Sequence, residues 1–181
     1  IQELLSRFDH ISVRDKLSKN MVDSLIGREA VHVLDPCFLT DYGPITPRPM
    51  VQKPYIIAYL FDTTKIASIV LNRIQNQLNM PLVRISTGFI SRNKLNPGPM
   101  QWLSLMKHAN YVITNSFHGT CFSLINRKQF IVVPYDKPGA MSRIEDILEN
   151  TKLLSRYVRD ETQLKHCLQH EIDYKTAENR I

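Results

Sequence analysis

The segment best suited to chemistry is the turn at residues 114–120, which joins an apolar strand to an apolar helix. Asn115 or Ser116 can cap that helix, so that free backbone N–H groups and the positive end of the helix dipole favour a phosphate or a carboxylate. His118 lies in the first turn, and its ordinary pKa of about 6.5 lets it serve as acid or base near neutrality. Gly119 allows a ligand or another backbone to approach closely. A structural histidine, hydrogen-bonded inside a tight turn, is an equally good interpretation.

Two arginines at other turns are candidate anion contacts. Arg14 precedes a helix that Asp15 can cap, and its planar guanidinium can grip an anion in the crevice. Pairing of Arg14 with Asp15 or Asp35 is the alternative. Arg143 follows a glycine-containing loop and is a further candidate, or an ordinary first-turn residue. Asp35 can bind a hydroxyl, although Asp35-Pro36 is also a common turn.

Other residues give weaker indications. Trp102 can stack on a sugar, although packing between a helix and the sheet is the commoner role of a lone tryptophan. His166 and His170 have the four-residue spacing of a metal-binding pair, but without a third ligand we interpret them as a solvated helix face and expect no metal site. The sequence has no nucleotide-binding glycine loop, Walker lysine loop, hydrolase nucleophile elbow or zinc-protease motif.

The composition is that of a globular protein. The 181 residues are 43% hydrophobic and 22% charged, which favours a single domain over residues 1–181. The net charge of +6 is dispersed, without the basic block that marks a nucleic-acid arm. It suits an anionic small substrate or an acidic polymer, and almost as well no particular partner. No apolar run is long enough to span a membrane. Three widely spaced cysteines predict reduced thiols and a cytoplasmic location.

The elements that must position these residues alternate along the chain. Leu17, Met21 and Leu25 form an apolar stripe on the first long helix, which Gly27 ends. The alternation predicts an α/β fold, a Rossmann-like, doubly wound, mainly parallel sheet with helices on both faces and ligands beyond the carboxyl ends of its strands. Predicted strands are 10–13, 31–34, 55–61, 81–85, 111–114 and 130–133; predicted helices are 16–25, 99–108, 117–125, 143–150 and 161–170, with one more capped by Asp62 and Thr63.

The block ANYVITNSFHGTCFSL at residues 109–124 resembles the polysaccharide pyruvyl transferase family. The motifs at 12–15, 35–36, 99–102, 130–134 and 143–148 extend the resemblance over residues 11–156. It implies transfer of a pyruvyl group, commonly as a ketal, from phosphoenolpyruvate to a sugar of a bacterial cell-surface polysaccharide or exopolysaccharide. It also implies that this chain is the donor-binding half of a two-domain, glycosyltransferase-B-like enzyme, without its N-terminal partner domain and inactive alone.

The resemblance also suggests roles for individual residues. His118 matches the family's proposed general acid, which protonates the methylene carbon of phosphoenolpyruvate. Several members have an arginine two residues earlier, where this chain has Ser116, so either Arg14 or Arg143 compensates or the donor differs. The implied donor-binding residues are Arg14, Ser116, Phe117, Gly119, Thr120 and Arg143, while Asp35 and Trp102 are acceptor or structural residues.

The implied partners are phosphoenolpyruvate and a sugar or lipid-linked oligosaccharide acceptor, with no cofactor, no nucleic acid and no transmembrane segment. Peripheral association with a membrane is left open. Two alternatives remain: a glycosyltransferase domain that uses a nucleotide sugar, and a non-catalytic carbohydrate-binding remnant.

Overall fold

A four-stranded parallel sheet in the order β4-β3-β5-β6 forms the centre of the protein. The computed structural model describes residues 1–85, 94–137 and 139–175. Its strands are β1 Ser12–Val13, β2 Val31–His32, β3 Ile56–Tyr59, β4 Leu82–Ile85, β5 Tyr111–Thr114 and β6 Gln129–Val132. Its α-helices are α1 Gln2–Leu5, α2 Lys16–Ile26, α3 Lys65–Leu78, α4 Pro99–His108, α5 Phe117–Ile125, α6 Ser142–Asn150 and α7 Glu161–Gln169.

The central sheet is buried on both faces because its strands are almost continuously apolar. Ile57, Val112 and neighbouring residues pack against α4, α5 and α6 on one face. Ile56, Ile113 and Ile131 pack against α3 and α7 on the other. This arrangement confirms the predicted α/β, Rossmann-like fold with helices on both faces.

Residues 12–32, here called the N-terminal unit, form a separate two-stranded parallel sheet, with β1 beside β2 and α2 between them. The predicted ends of α2 are confirmed: the Ser18 N–H donates to Asp15 Oδ1 at 2.7 Å, and Gly27 ends the helix with φ +67°. A left-handed residue at this position is most easily a glycine.

The apolar stripe on α2 is not covered. Leu17, Met21 and Leu25 are 52%, 57% and 36% exposed, whereas the four-residue spacing predicts a face that packs on a core. The stripe lies beside two strands of only two residues each and remains largely exposed.

Polar contacts hold the N-terminal unit against the rest of the protein. The buried carboxylate of Asp146, on α6, accepts a hydrogen bond from the Lys16 backbone N–H at 3.1 Å and lies 2.9 Å from Lys16 Nζ. His32 Nε2 lies 3.4 Å from Asp146 Oδ2. These contacts join the start of α2 and the end of β2 to α6, so Arg14, just before α2, has a defined position beside the central sheet.

Some element boundaries differ from those predicted. Thr64, rather than Asp62 or Thr63, caps α3, because its hydroxyl accepts from the Ala67 N–H at 3.2 Å. The Asp62 carboxylate instead accepts from the Thr63 N–H. Residues 86–93, which lie between the predicted strand 81–85 and the predicted helix 99–108, and the charged end of the chain, residues 176–181, lie outside the described residues.

Candidate functional site

The candidate site begins at the turn between β5 and α5. The sequence predicted either Asn115 or Ser116 as the cap of α5. In the structure the cap is Ser116, whose hydroxyl accepts a hydrogen bond from the Gly119 N–H at 3.3 Å. Among the described residues, the N–H groups of Phe117 and His118 have no protein acceptor. The start of α5 therefore presents two free donors and the positive end of its dipole.

Three residues predicted to bind a donor point into the protein. A Cβ on Gly119 would lie 2.2 Å from Thr114 Oγ1 and 3.2 Å from the Tyr59 ring, so glycine allows α5 to pack closely on the sheet. The buried Thr120 hydroxyl donates to the Ser116 carbonyl at 3.1 Å. The structure thus gives Ser116, Gly119 and Thr120 an inward packing role, and their contact with a donor stays a prediction.

Arg14 and Arg143 converge on the ring of Phe117. Their guanidinium carbons lie 5.6 Å and 4.9 Å from the ring centroid, within the range of a cation–π contact. We call these three side chains the arginine cradle. They line a cavity of about 180 Å³ together with Asp35 and Asp146. Two separate elements thus bring the two candidate arginines to one aromatic ring at the start of α5.

The two arginines differ in their partners. Arg14 Nη1 lies 2.5 Å from Asp35 Oδ2, which is the ion pair that the sequence left as an alternative. The Arg143 guanidinium forms no ion pair within the part of the chain that the structure describes. Because a guanidinium has five donors, the bond to Asp35 leaves Arg14 able to bind a second anion, and Arg143 retains its full capacity.

Asp35 is buried and is an anchor for Arg14. Burial acts to raise the pKa of Asp35, but the net shift is downward, because the Cys37 backbone N–H, the Cys37 thiol and the Arg14 guanidinium stabilise the carboxylate. The Cys37 N–H donates to Asp35 Oδ1 at 3.0 Å and begins the 3₁₀ turn Pro36–Leu39. Asp35 is therefore ionised at neutral pH and orients the guanidinium of Arg14.

His118 lies at the solvent-exposed edge of the cradle, with its ring centroid 5.4 Å from that of Phe117. Partial desolvation lowers the pKa of His118; Asp35 opposes the shift, and the positive charges of Arg14 and Arg143 add to it. The imidazole is therefore mainly neutral at pH 7. An anion that offsets the two arginines raises this pKa, so that ligand binding and protonation of His118 favour each other.

Trp102 is a packing residue. Its ring contacts those of Tyr59 and Phe122 edge-on, with centroids 5.5 Å and 4.9 Å away, and its buried indole N–H has no acceptor in the described part of the chain. This supports helix-to-sheet packing over sugar stacking. The rings of His166 and His170 stack at 4.4 Å on an exposed helix end, and the described residues contain no group of three metal-ligating side chains.

Sequence reasoning missed two features of this site. Phe117 was a candidate only through the resemblance, and no local signal shows that its ring gathers two arginines. Asp146 carried no signal, because on the helix pattern alone it is one more polar residue.

A protein-family model described as polysaccharide pyruvyl transferase matches residues 1–137, which is most of the chain. The chain belongs to the polysaccharide pyruvyl transferase family. The family model's description names transferases that act on polysaccharides. The match ends before Arg143, so the place of that residue in the site rests on geometry.

No curated protein matches the chain. Among solved structures it is similar to the iron-containing dodecameric glycosyltransferase TibC from enterotoxigenic E. coli H10407, with 17% identity and a TM-score of 0.34. That similarity covers 59% of this chain and 32% of the TibC chain, and it adds nothing to the argument on function. Within the described residues, none of the helices is both long and apolar enough to cross a bilayer.

Proposed function

We propose that this protein takes part in transferring a pyruvyl group from phosphoenolpyruvate to sugar hydroxyls of a cell-surface polysaccharide. One observation carries the proposal: two guanidinium groups converge on one ring, at a helix start with two free N–H groups, beside a histidine. Family membership supplies the reaction class, and this constellation supplies the donor chemistry.

The cradle suits the two anionic groups of phosphoenolpyruvate. A guanidinium binds a phosphate or a carboxylate through two parallel hydrogen bonds, and a helix start favours the same groups. Arg143 and the remaining donors of Arg14 take over the charge that several family members supply from the position of Ser116. The basic character of the site is thus retained without that arginine.

His118 is the proposed general acid. Its proton goes to the methylene carbon of phosphoenolpyruvate, which becomes a methyl group and leaves C2 electrophilic. One sugar hydroxyl adds to C2 and its proton restores His118. The second hydroxyl then adds as the C2–O bond to phosphate breaks, and its proton leaves with the phosphate, so the products are the ketal and inorganic phosphate.

We keep the cytoplasm as the proposed compartment, supported by three free thiols.

Calorimetric titration of phosphoenolpyruvate into the chain tests the donor. We expect saturable binding that Arg143→Gln weakens at least tenfold, because an anion then loses one charged contact. Arg73→Gln, an exposed arginine on α3, is the matched control and should leave the affinity unchanged. Binding of a nucleoside diphosphate sugar with no binding of phosphoenolpyruvate would contradict the proposal and favour a glycosyltransferase domain.

A further inference from the structure

Two aromatic side chains lie at the carboxyl edge of the central sheet, outside the arginine cradle. Phe61 follows β3 and Tyr135 follows β6; their ring centroids are 5.7 Å apart, with 30° between the ring planes. Phe61 is 46% exposed and Tyr135 is partly exposed. We call these two residues the aromatic pair. It forms an exposed apolar surface at the edge where sheets of this class bind ligands.

The aromatic pair is tied to the turn that carries the candidate acid. Asn115 Oδ1 accepts from the Phe61 N–H at 2.8 Å, and Asn115 Nδ2 donates to the Asp62 carbonyl at 3.1 Å. Asn115 is 2% exposed and directly precedes Ser116, the cap of α5. The buried side-chain amide of Asn115 therefore fixes the position of Phe61 relative to the start of α5.

A hollow of about 490 Å³ is lined by charged and apolar side chains, some of which adjoin the aromatic pair in the chain, although neither ring of the pair lines it. Its lining includes Thr64 and Lys65, which follow Phe61 closely in the chain, and Asp136, which follows Tyr135. Within the described residues, the side chains of Lys65 and Asp136 have no hydrogen-bond or ion-pair partner. An ammonium group and a carboxylate are therefore free to bind hydroxyl groups from outside.

This combination matches the chemistry of a hexopyranose. One face of such a ring is lined with C–H groups and packs on aromatic rings, while its hydroxyl groups form hydrogen bonds at the rim. Neither a bare phosphate nor a metal ion uses an aromatic surface in this way. A flat apolar surface beside uncommitted donors and acceptors is what a sugar ring requires.

We propose that the aromatic pair is the platform on which a hexopyranose ring of the acceptor glycan stacks, with Lys65 and Asp136 binding its hydroxyls. The proposal rests on the proposed function for the identity of the ligand as a sugar. In this arrangement the acceptor glycan binds at the aromatic pair, and the donor binds at the arginine cradle.

Saturation-transfer NMR with methyl glucopyranoside, galactopyranoside and mannopyranoside tests the platform on this chain. We expect transfer to the C–H face of at least one sugar, and a loss of affinity of at least fivefold in Phe61→Leu, which keeps apolar bulk but removes the ring. Tyr135→Ala should weaken binding similarly. Phe8→Ala, which removes a 59% exposed ring from the segment between α1 and β1, is the control and should change nothing.

A phosphoenolpyruvate titration of the same variants separates this inference from the proposed function. Sugar binding lost in Phe61→Leu with phosphoenolpyruvate binding unchanged supports the platform. Sugar binding that is absent, or that survives in both platform variants, overturns the platform even if phosphoenolpyruvate binds. Sugar binding that depends on Phe61 without any phosphoenolpyruvate binding leaves the platform standing and overturns the proposed donor.

Discussion

The central sheet and the N-terminal unit are held in place by different forces. In the central sheet, Ile57, Val112 and Phe130 are wholly buried between layers of helices. The N-terminal unit exposes most of its apolar stripe and is attached by charged contacts, chiefly those of Asp146 and the ion pair of Arg14. The cradle lies where the two regions meet, since Arg14 comes from the N-terminal unit and Arg143 from α6.

This difference has a consequence for the candidate site. Apolar packing makes the start of α5 rigid, whereas the position of Arg14 depends on a few ion pairs and hydrogen bonds, each worth about 1 kcal/mol when partly exposed. Ligand affinity should therefore be sensitive to the contacts between the two regions, because those contacts set the position of Arg14.

Gly119→Ala should have the largest effect on stability. Its Cβ would lie 2.2 Å from Thr114 Oγ1, so helix α5 must shift away from the sheet, at a cost of about 3 kcal/mol. Urea denaturation measures this loss. Gly98→Ala is the control, because among the described residues its Cβ would approach only Gln101 Oε1, at 3.8 Å. A loss no larger than that of the control would mean that packing at this turn is loose.

Asp146→Asn should loosen the contact between the two regions while leaving the central sheet intact. The amide cannot pair with Lys16 as a charge, and we expect a loss of about 1 to 2 kcal/mol, because Lys16 is half exposed. Hydrogen exchange should become about tenfold faster in α2 and stay unchanged in β3 and β5. Glu149→Gln removes the exposed partner of the same lysine and should have almost no effect. Equal changes in both regions would show that they unfold as one unit.

The smallest expected effect concerns His118. Its pKa is lowered in the folded protein, so the unfolded chain binds the proton more readily and stability falls as pH drops through the ordinary histidine range. His118→Gln should remove this part of the pH dependence, below about 0.5 kcal/mol because the ring is exposed. Denaturation curves at pH 5 and pH 8 check the sign. A variant that loses stability more steeply than the wild type at low pH would contradict the direction.

The sequence allowed most of the fold to be predicted, because local signals and tertiary packing agree there. The bounds of α4, β5 and α5 follow directly from apolar runs flanked by proline, serine or asparagine. The site was predicted only in part. The convergence of Arg14 and Arg143 on Phe117, and the pairing of Phe61 with Tyr135, depend on how distant segments pack. The α2 stripe shows the opposite failure: a strong periodic signal marks side chains that remain 36% to 57% exposed.

The central claim is that the cradle holds an anionic donor against His118. An NMR titration of the histidine ring protons, with and without saturating phosphoenolpyruvate and with His118→Gln to assign the signal, tests it most directly. We predict that the pKa of His118 lies below its ordinary value in the free protein and rises when the ligand offsets the charges of Arg14 and Arg143. A His118 pKa that saturation with phosphoenolpyruvate leaves unchanged would contradict the account.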